Sequence, residues 1–338
     1  MNVFELTRKL VDIESITPNE EAVGDFVFDY LHPLVQQYNG HIEKMNVEPH
    51  RNNVFAYWGD APTVTLSTHL DTVPPFFPSS EDDEFIWGRG AVDVKGIISA
   101  MIHAATNLLA EGRRNFGLLF VVGEERNSAG AYFASKHPRG SKFIINGEPT
   151  SNKLALGSKG ALRYEIKASG RMAHSAYPHL GDSAILKLLD TLEAARKIEL
   201  PTHPILGPST LNIGTIGGGR APNVIPDEGR AELFVRLVDD GAATRQEFAK
   251  LNKDGVEVKE VLCIPAVHLG SLPGFETCVV AYTTDIPAFG NAWGQPFLLG
   301  PGTINVAHTS EERVPKKELI EAVSLYAGLV RGLLEKGS

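Results

Sequence analysis

The chain has 338 residues and a formal net charge of −9, with 43% hydrophobic and 22% charged residues. That is room for two ordinary globular domains. No lysine–arginine run is dense enough to follow a phosphate backbone and no apolar window is long enough to cross a bilayer, so neither nucleic acid nor a membrane is expected as a partner. The only cysteines, Cys263 and Cys278, lie in apolar strings and read as buried thiols of a cytoplasmic protein, not as a disulfide scaffold.

From the amino terminus, residues 2–13 place Val3, Phe4, Leu6, Leu10, Val11 and Ile13 among charged residues, the pattern of an amphipathic surface helix without a signal-peptide core. A helix is expected over 20–31. Strands are expected at 54–58, 63–68, 117–122 and 142–145, and a helix over 95–110, where apolar residues recur at helical spacing. This alternation predicts an α/β domain with a central mixed sheet flanked by helices. The character changes after about residue 159. A strand at 162–169, a helix at 182–197, strands at 210–216 and 229–237, a helix at 242–251 and a strand at 255–262 follow in the order βαββαβ, the ferredoxin-like arrangement. Residues 159–264 therefore read as an inserted domain. Residues 1–158 and 265–338 form the other, which closes on a helix at 315–336.

Chemistry-bearing residues collect where the apolar strands end. His69 and Asp71 follow the strand at 63–68, and Asp93 follows a glycine turn at Gly88 and Gly90. Glu124 and Glu125 follow 117–122, and Glu148 follows 142–145. A glycine-rich loop from Gly300 leads to His308. In open α/β sheets, ligands gather beyond the carboxyl ends of the strands. A mixed histidine–carboxylate set suits zinc, two ions close together can clamp a carbonyl, and a free carboxylate beside the water can act as general base. The bland alternative is that each residue is structural, as most of the 11 histidines must be. Against it, Glu124 and Glu125 directly after an apolar strand are costly without a cation. Other chemistries lack their strings: there is no G-x-S-x-G elbow, no phosphate loop and no third glycine after Gly88 and Gly90.

In register, the segments 67–71, 88–96, 123–125, 147–150 and 300–312 resemble the dinuclear zinc amidohydrolase family of acetylornithine deacetylase and succinyl-diaminopimelate desuccinylase. The resemblance runs through nearly the whole chain. It implies two divalent ions, zinc first, with cobalt or manganese also tolerated. Asp93 would bridge them, His69 and Glu148 would complete one shell, and Glu125 and His308 the other. Glu124 would be the general base toward a water held between the ions. Asp71 would hold the His69 ring, or merely cap a loop. The inserted domain would be a lid and dimerisation domain, with His174 donating to the oxyanion, from the partner subunit in the desuccinylase pattern. Asn223 and Arg236 would clamp a substrate carboxylate, although Arg236 could equally make an ordinary ion pair. Gly302 and Thr303 would touch the substrate. Asp285 departs from the family's glycine-rich version and would meet a cationic side chain or form a turn; His179 is a weaker substrate candidate.

The implied activity is hydrolysis of an N-acylated amino acid, foremost N-acetylornithine in arginine biosynthesis, by a cytoplasmic homodimer. A desuccinylase, a dipeptidase or an aminoacyl-lysine hydrolase of the same family are the alternatives. A metal-binding scaffold that has lost catalysis is the alternative of a different class.

Overall fold

Strand side chains alternate between faces, so a strand covered on both sides is apolar throughout. The segment Phe116–Val121 shows this in the computed structural model, which describes residues 1–337. Phe116, Leu118 and Phe120 enter one core, while Leu119 and Val121 enter another. The chain divides into two units. The first is formed by Met1–Leu156, Leu269–Cys278 and the chain from Thr284 onward.

The first unit is built on a six-stranded mixed sheet. Its strands are β1 (His41–Glu48), β2 (Arg51–Trp58), β3 (Val64–His69), β4 (Phe116–Val121), β5 (Phe143–Asn146) and the returning strand Gln295–Leu298. The order is β1, β2, β4, β3, β5, returning strand. The last four run parallel, while β1 and β2 are antiparallel to each other and β2 to β4. Helices α1 (Val3–Val11), α2 (Glu21–Gln37), α3 (Gly96–Ala110) and Lys316–Gly337 bury apolar stripes against one face. Helix α4 (Ala129–Ser135), with Phe289 and Trp293, covers the other. All four parallel strands therefore end at the same edge, and each leads into one of the site-bearing loops.

Helix α2 continues to Gln37, past the expected end at residue 31, with Pro33 inside it. A proline inside a helix costs about 3 kcal/mol. Leu31 and Val35 are buried and Leu34 packs against the same core. Burying such a side chain contributes about 1.5–3 kcal/mol, so packing outweighs the lost hydrogen bond. Strand β1 was not expected, because its pattern mixes charge with apolar residues and only Met45 is buried.

The second unit comprises Gly157–His268 and Val279–Thr283. Strands β6 (Gly160–Ser169), β7 (Thr210–Gly218), β8 (Glu228–Leu237) and β9 (Val256–Ile264) form an antiparallel sheet in the order β7, β8, β6, β9. Helices α5 (Ala184–Arg196) and α6 (Ala242–Ala249) complete a βαββαβ unit. Ala231, Leu233, Val235 and Leu237 of β8 face its core together with Leu188, Leu192 and Phe248. The unit runs wider than 159–264 because main-chain bonds extend it: Val267 and His268 pair with Ser158 and Gly157, and the Lys159 amide donates to the Val280 carbonyl. Cys263 and Cys278 are only partly buried, contrary to expectation, and both remain free thiols.

Candidate metal centre

The geometry starts at the end of β3. His69 is 1% exposed, and its Nδ1–H donates to the Asp71 carbonyl at 2.9 Å. That fixes the tautomer and leaves Nε2 facing Asp93 Oδ1 at 3.0 Å and Glu148 Oε1 at 3.9 Å. On the other side, His308 Nε2 lies 3.2 Å from Asp93 Oδ2 and 3.1 Å from Glu125 Oε1. Asp93 thus turns one oxygen toward each histidine. Among the described residues, His69–Asp93–Glu148, Asp93–Glu125–His308 and His69–Glu124–Glu125 each bring their donor atoms within 4.8 Å of one another.

These residues fit divalent ions. Donors about 2.0–2.2 Å from a tetrahedral zinc lie roughly 3.3–3.6 Å apart, close to the spacings here. Glu148 Oε1 is buried without a hydrogen-bond partner, an arrangement that a cation would relieve.

The Asp71 carboxylate caps a loop, the alternative reading of that residue. Its Oδ1 accepts the amides of Gly123 and Glu124 at 2.9 and 3.1 Å, and Oδ2 accepts the Glu125 amide at 3.2 Å and the Thr17 hydroxyl at 2.7 Å. Toward His69 it stands at 3.5 Å, behind its own carbonyl. Asp71 therefore orients His69 chiefly through main chain, while its carboxylate caps the loop that carries Glu124 and Glu125. Gly123 opens that loop at φ +85°, a conformation that side chains other than glycine rarely adopt.

The loop from Gly300 is held differently from the expectation. The Gly300 amide donates to Thr150 Oγ1 and the Gly302 amide to Glu318 Oε2, so neither is free for a substrate. The Thr303 hydroxyl caps the short turn Ile304–Val306 by accepting the Asn305 amide. His308 sits at φ +62°, an uncommon backbone conformation of the kind that clusters at functional sites. Asp285 is completely buried, so a cationic side chain cannot reach it in this conformation. Burial raises it to about 7, eased by His69 and Ser128.

Glu312 and Arg89 went unremarked in the sequence, although Glu312 lies four residues after His308. They form a buried ion pair beside Asp93. In the second unit, His174 is exposed on a two-residue strand opposite Val224, next to Asn223. Its Nδ1 accepts the Ala176 amide at 3.1 Å, which leaves Nε2–H as the outward donor. Arg236 lies 4.7 Å over the Phe234 ring and forms no ion pair among the described residues. His179 is exposed.

Burial raises Glu124, Glu148 and Glu125 above the ordinary carboxylate range. Burial opposes charge on His69, but Asp71 and Asp93 hold its pKa well above the ordinary value. Hydrogen bonds that His308 donates to Asp93 and Glu125 raise its pKa to about 10. Acids raised on folding lose stability as pH climbs from their unfolded values, near about 4, through the folded ones. The raised histidines act in the same direction, since their stabilisation is complete below 6.5 and fades above it. Asp71 and Asp93 are lowered and change their contribution only below about pH 4. Lys95, lowered to about 7 by burial, opposes the trend only above that pH. Chelated protein should therefore melt at a higher temperature near about pH 5 than near about pH 7. Added Zn2+ should stabilise it more at the higher pH, because ligands must be deprotonated to bind. Thermal unfolding at both pH values, with and without Zn2+, checks this; a chelated protein more stable at pH 7 contradicts it.

Known proteins resemble this chain over most of its length. The pattern of Peptidase family M20/M25/M40 matches residues 65–332. A peptidase M20 domain-containing protein of Schizosaccharomyces pombe is 38% identical, over 97% of this chain and 84% of the relative. A probable carboxypeptidase of Aspergillus clavatus is 36% identical, over 97% of this chain and 88% of the relative. Among solved structures, a tripeptidase from Staphylococcus aureus superposes with a TM-score of 0.82 at 20% identity, covering 98% of each chain.

Proposed function

The chain belongs to peptidase family M20/M25/M40 and is a metal-dependent hydrolase, and from that premise we propose that it cleaves the amide bond of an N-acylated or peptidyl amino acid carrying a free α-carboxylate. The observation that carries this reading is the pair of clusters sharing Asp93, with Glu124 beside them. In our reading His69, Asp93 and Glu148 hold one ion, and Asp93, Glu125 and His308 the other, zinc being the first candidate. When bound, the ions polarise the scissile carbonyl and make water acidic. Glu124 takes the proton of the attacking water and passes it to the leaving nitrogen. Burial raises its carboxyl, and a raised pKa makes the carboxylate a better proton acceptor. His174 donates from Nε2–H to the developing oxyanion.

Arg236 receives the α-carboxylate. Support comes from the lack of an ionic partner among the described residues and from the planar fork that guanidinium offers carboxylates. N-Acetylornithine remains one candidate substrate. The name of the Aspergillus clavatus relative, a probable carboxypeptidase, points to cleavage at a carboxy-terminal residue, and a free carboxylate is common to both substrate types. N-Acetylornithine, N-succinyl-diaminopimelate and a dipeptide, each with and without an amidated carboxylate, form the test panel. Arg236→Ala should raise KM for the free acid by about 10–100-fold, the equivalent of a charge-assisted hydrogen bond of about 1.5–3 kcal/mol. It should leave an amidated substrate unchanged; equal effects on both would remove Arg236 from this role.

Pairing of two copies through the second unit is part of the same proposal. Strand β7 is a sheet edge with Ile216 58% exposed, and α5 exposes Leu186 and Leu189 at 62% and 47%. Light scattering at the mass of a single chain would rule that out.

A further inference from the structure

His308 contributes to the candidate centre from a loop, at an uncommon backbone angle, with half of its side chain exposed. Something must fix the ends of that loop if its Nε2 is to stay near Asp93 and Glu125. At the near end, the Thr150 and Ser151 amides bond to the Gly300 and Gly302 carbonyls. At the far end stands Glu312, 1% exposed. Its Oε1 accepts the Gly90 amide at 2.8 Å and the Asp93 amide at 3.3 Å, and its Oε2 pairs with Arg89. The Gly88 amide donates to the Glu312 carbonyl at 3.1 Å, and Arg313–Pro315 then pairs antiparallel with Phe85–Trp87. Arg89 is held in turn by the Pro75 carbonyl at 3.2 Å and lies 5.1 Å over the Phe77 ring.

We propose that Glu312 is a positioning residue that fastens the loop carrying Asp93 to the loop carrying His308 and so sets the spacing of the Asp93–Glu125–His308 cluster. Glu312 is not in a candidate ligand cluster. Its side chain reaches the main chain of one ligand, and its own main chain, four residues on, tethers the other. The His69–Asp93–Glu148 cluster shares only Asp93, so it depends on Glu312 less. Gly90 is part of the device: it stands at φ +87°, and a Cβ there would come within 2.9 Å of the Thr72 side chain. The amide that Glu312 accepts therefore belongs to a turn that needs glycine.

This inference rests on the two-ion reading, and the experiment separates the two. Removing Glu312 alone would strand Arg89 as a buried charge, so both partners are changed together. In Arg89→Met/Glu312→Gln the glutamine carbonyl still accepts the Gly90 and Asp93 amides. In Arg89→Met/Glu312→Leu, or with Met at 312 as a more adaptable apolar residue, nothing does. Full-length wild type and variants are stripped of metal, checked for cooperative thermal unfolding, and titrated with Zn2+ against a chromophoric chelator.

Wild type should bind two ions. The leucine or methionine double variant should bind one ion about 10–100-fold more weakly and the other within about threefold of wild type, while the glutamine double variant holds both within about threefold. Unchanged affinities in the apolar variants, an equal loss at both sites, or the same loss with glutamine would overturn the proposal. Fewer than two ions on wild type would overturn the two-ion reading itself, and this inference with it.

Discussion

Glu124→Gln is expected to cut amide hydrolysis by about 10²–10⁴-fold while the protein keeps its ions. The glutamine is nearly isosteric and can still accept a hydrogen bond, but it cannot take a proton from water. The surroundings of Glu124 support the proposed role. Gly123 turns the chain at the end of β4, and the Asp71 carboxylate holds the amides of 123, 124 and 125. Glu125 pairs with His308 at 3.1 Å, whereas Glu124 forms no ion pair within 4.0 Å among the described residues. Burial lifts its pKa, and the neighbouring Asp285, Glu125 and Asp93 add to the rise. Metal content is the second readout, because Glu124 also falls within a cluster with His69 and Glu125. An ion lost together with activity would make Glu124 a ligand, and unchanged turnover would remove Glu124 from the role of general base.

Asp93→Ala should have the largest effect on metal binding, weakening both ions by more than about 100-fold. Asp93 is the residue that the His69–Asp93–Glu148 and Asp93–Glu125–His308 clusters share, with Oδ1 toward His69 and Oδ2 toward His308. His308→Ala should spare the ion that His69, Asp93 and Glu148 would hold. Metal analysis after gel filtration distinguishes the cases: none retained for Asp93→Ala, one for His308→Ala. Retention of one ion by Asp93→Ala would mean that the clusters act independently.

Much of this layout was legible in the residues. Apolar runs ending in His69, Glu124 and Glu148 are β3, β4 and β5, and the topology gathers their ends at one edge. Alternation along β8 pointed correctly to one buried face. What stayed hidden is mostly main-chain chemistry, which leaves little trace in side-chain identity. Asp71 looked like a partner for the His69 ring, yet its carboxylate is largely occupied by three amides of another loop. Gly302 looked available to a substrate, yet its amide is bonded to Glu318. Asp285 drew attention as a charge and lies completely buried. Helix α2 runs through Pro33 because its apolar stripe continues into the core. Glu312 could have been noticed as one of two adjacent acids after His308, but sequence alone does not say which one faces inward.

The most direct test of the account is a metal titration of turnover. Chelated protein should be inactive on the best substrate of the panel, and activity should return as Zn2+ is added, reaching its plateau at two equivalents per chain. Turnover that survives complete chelation, or that ignores added Zn2+, would contradict it.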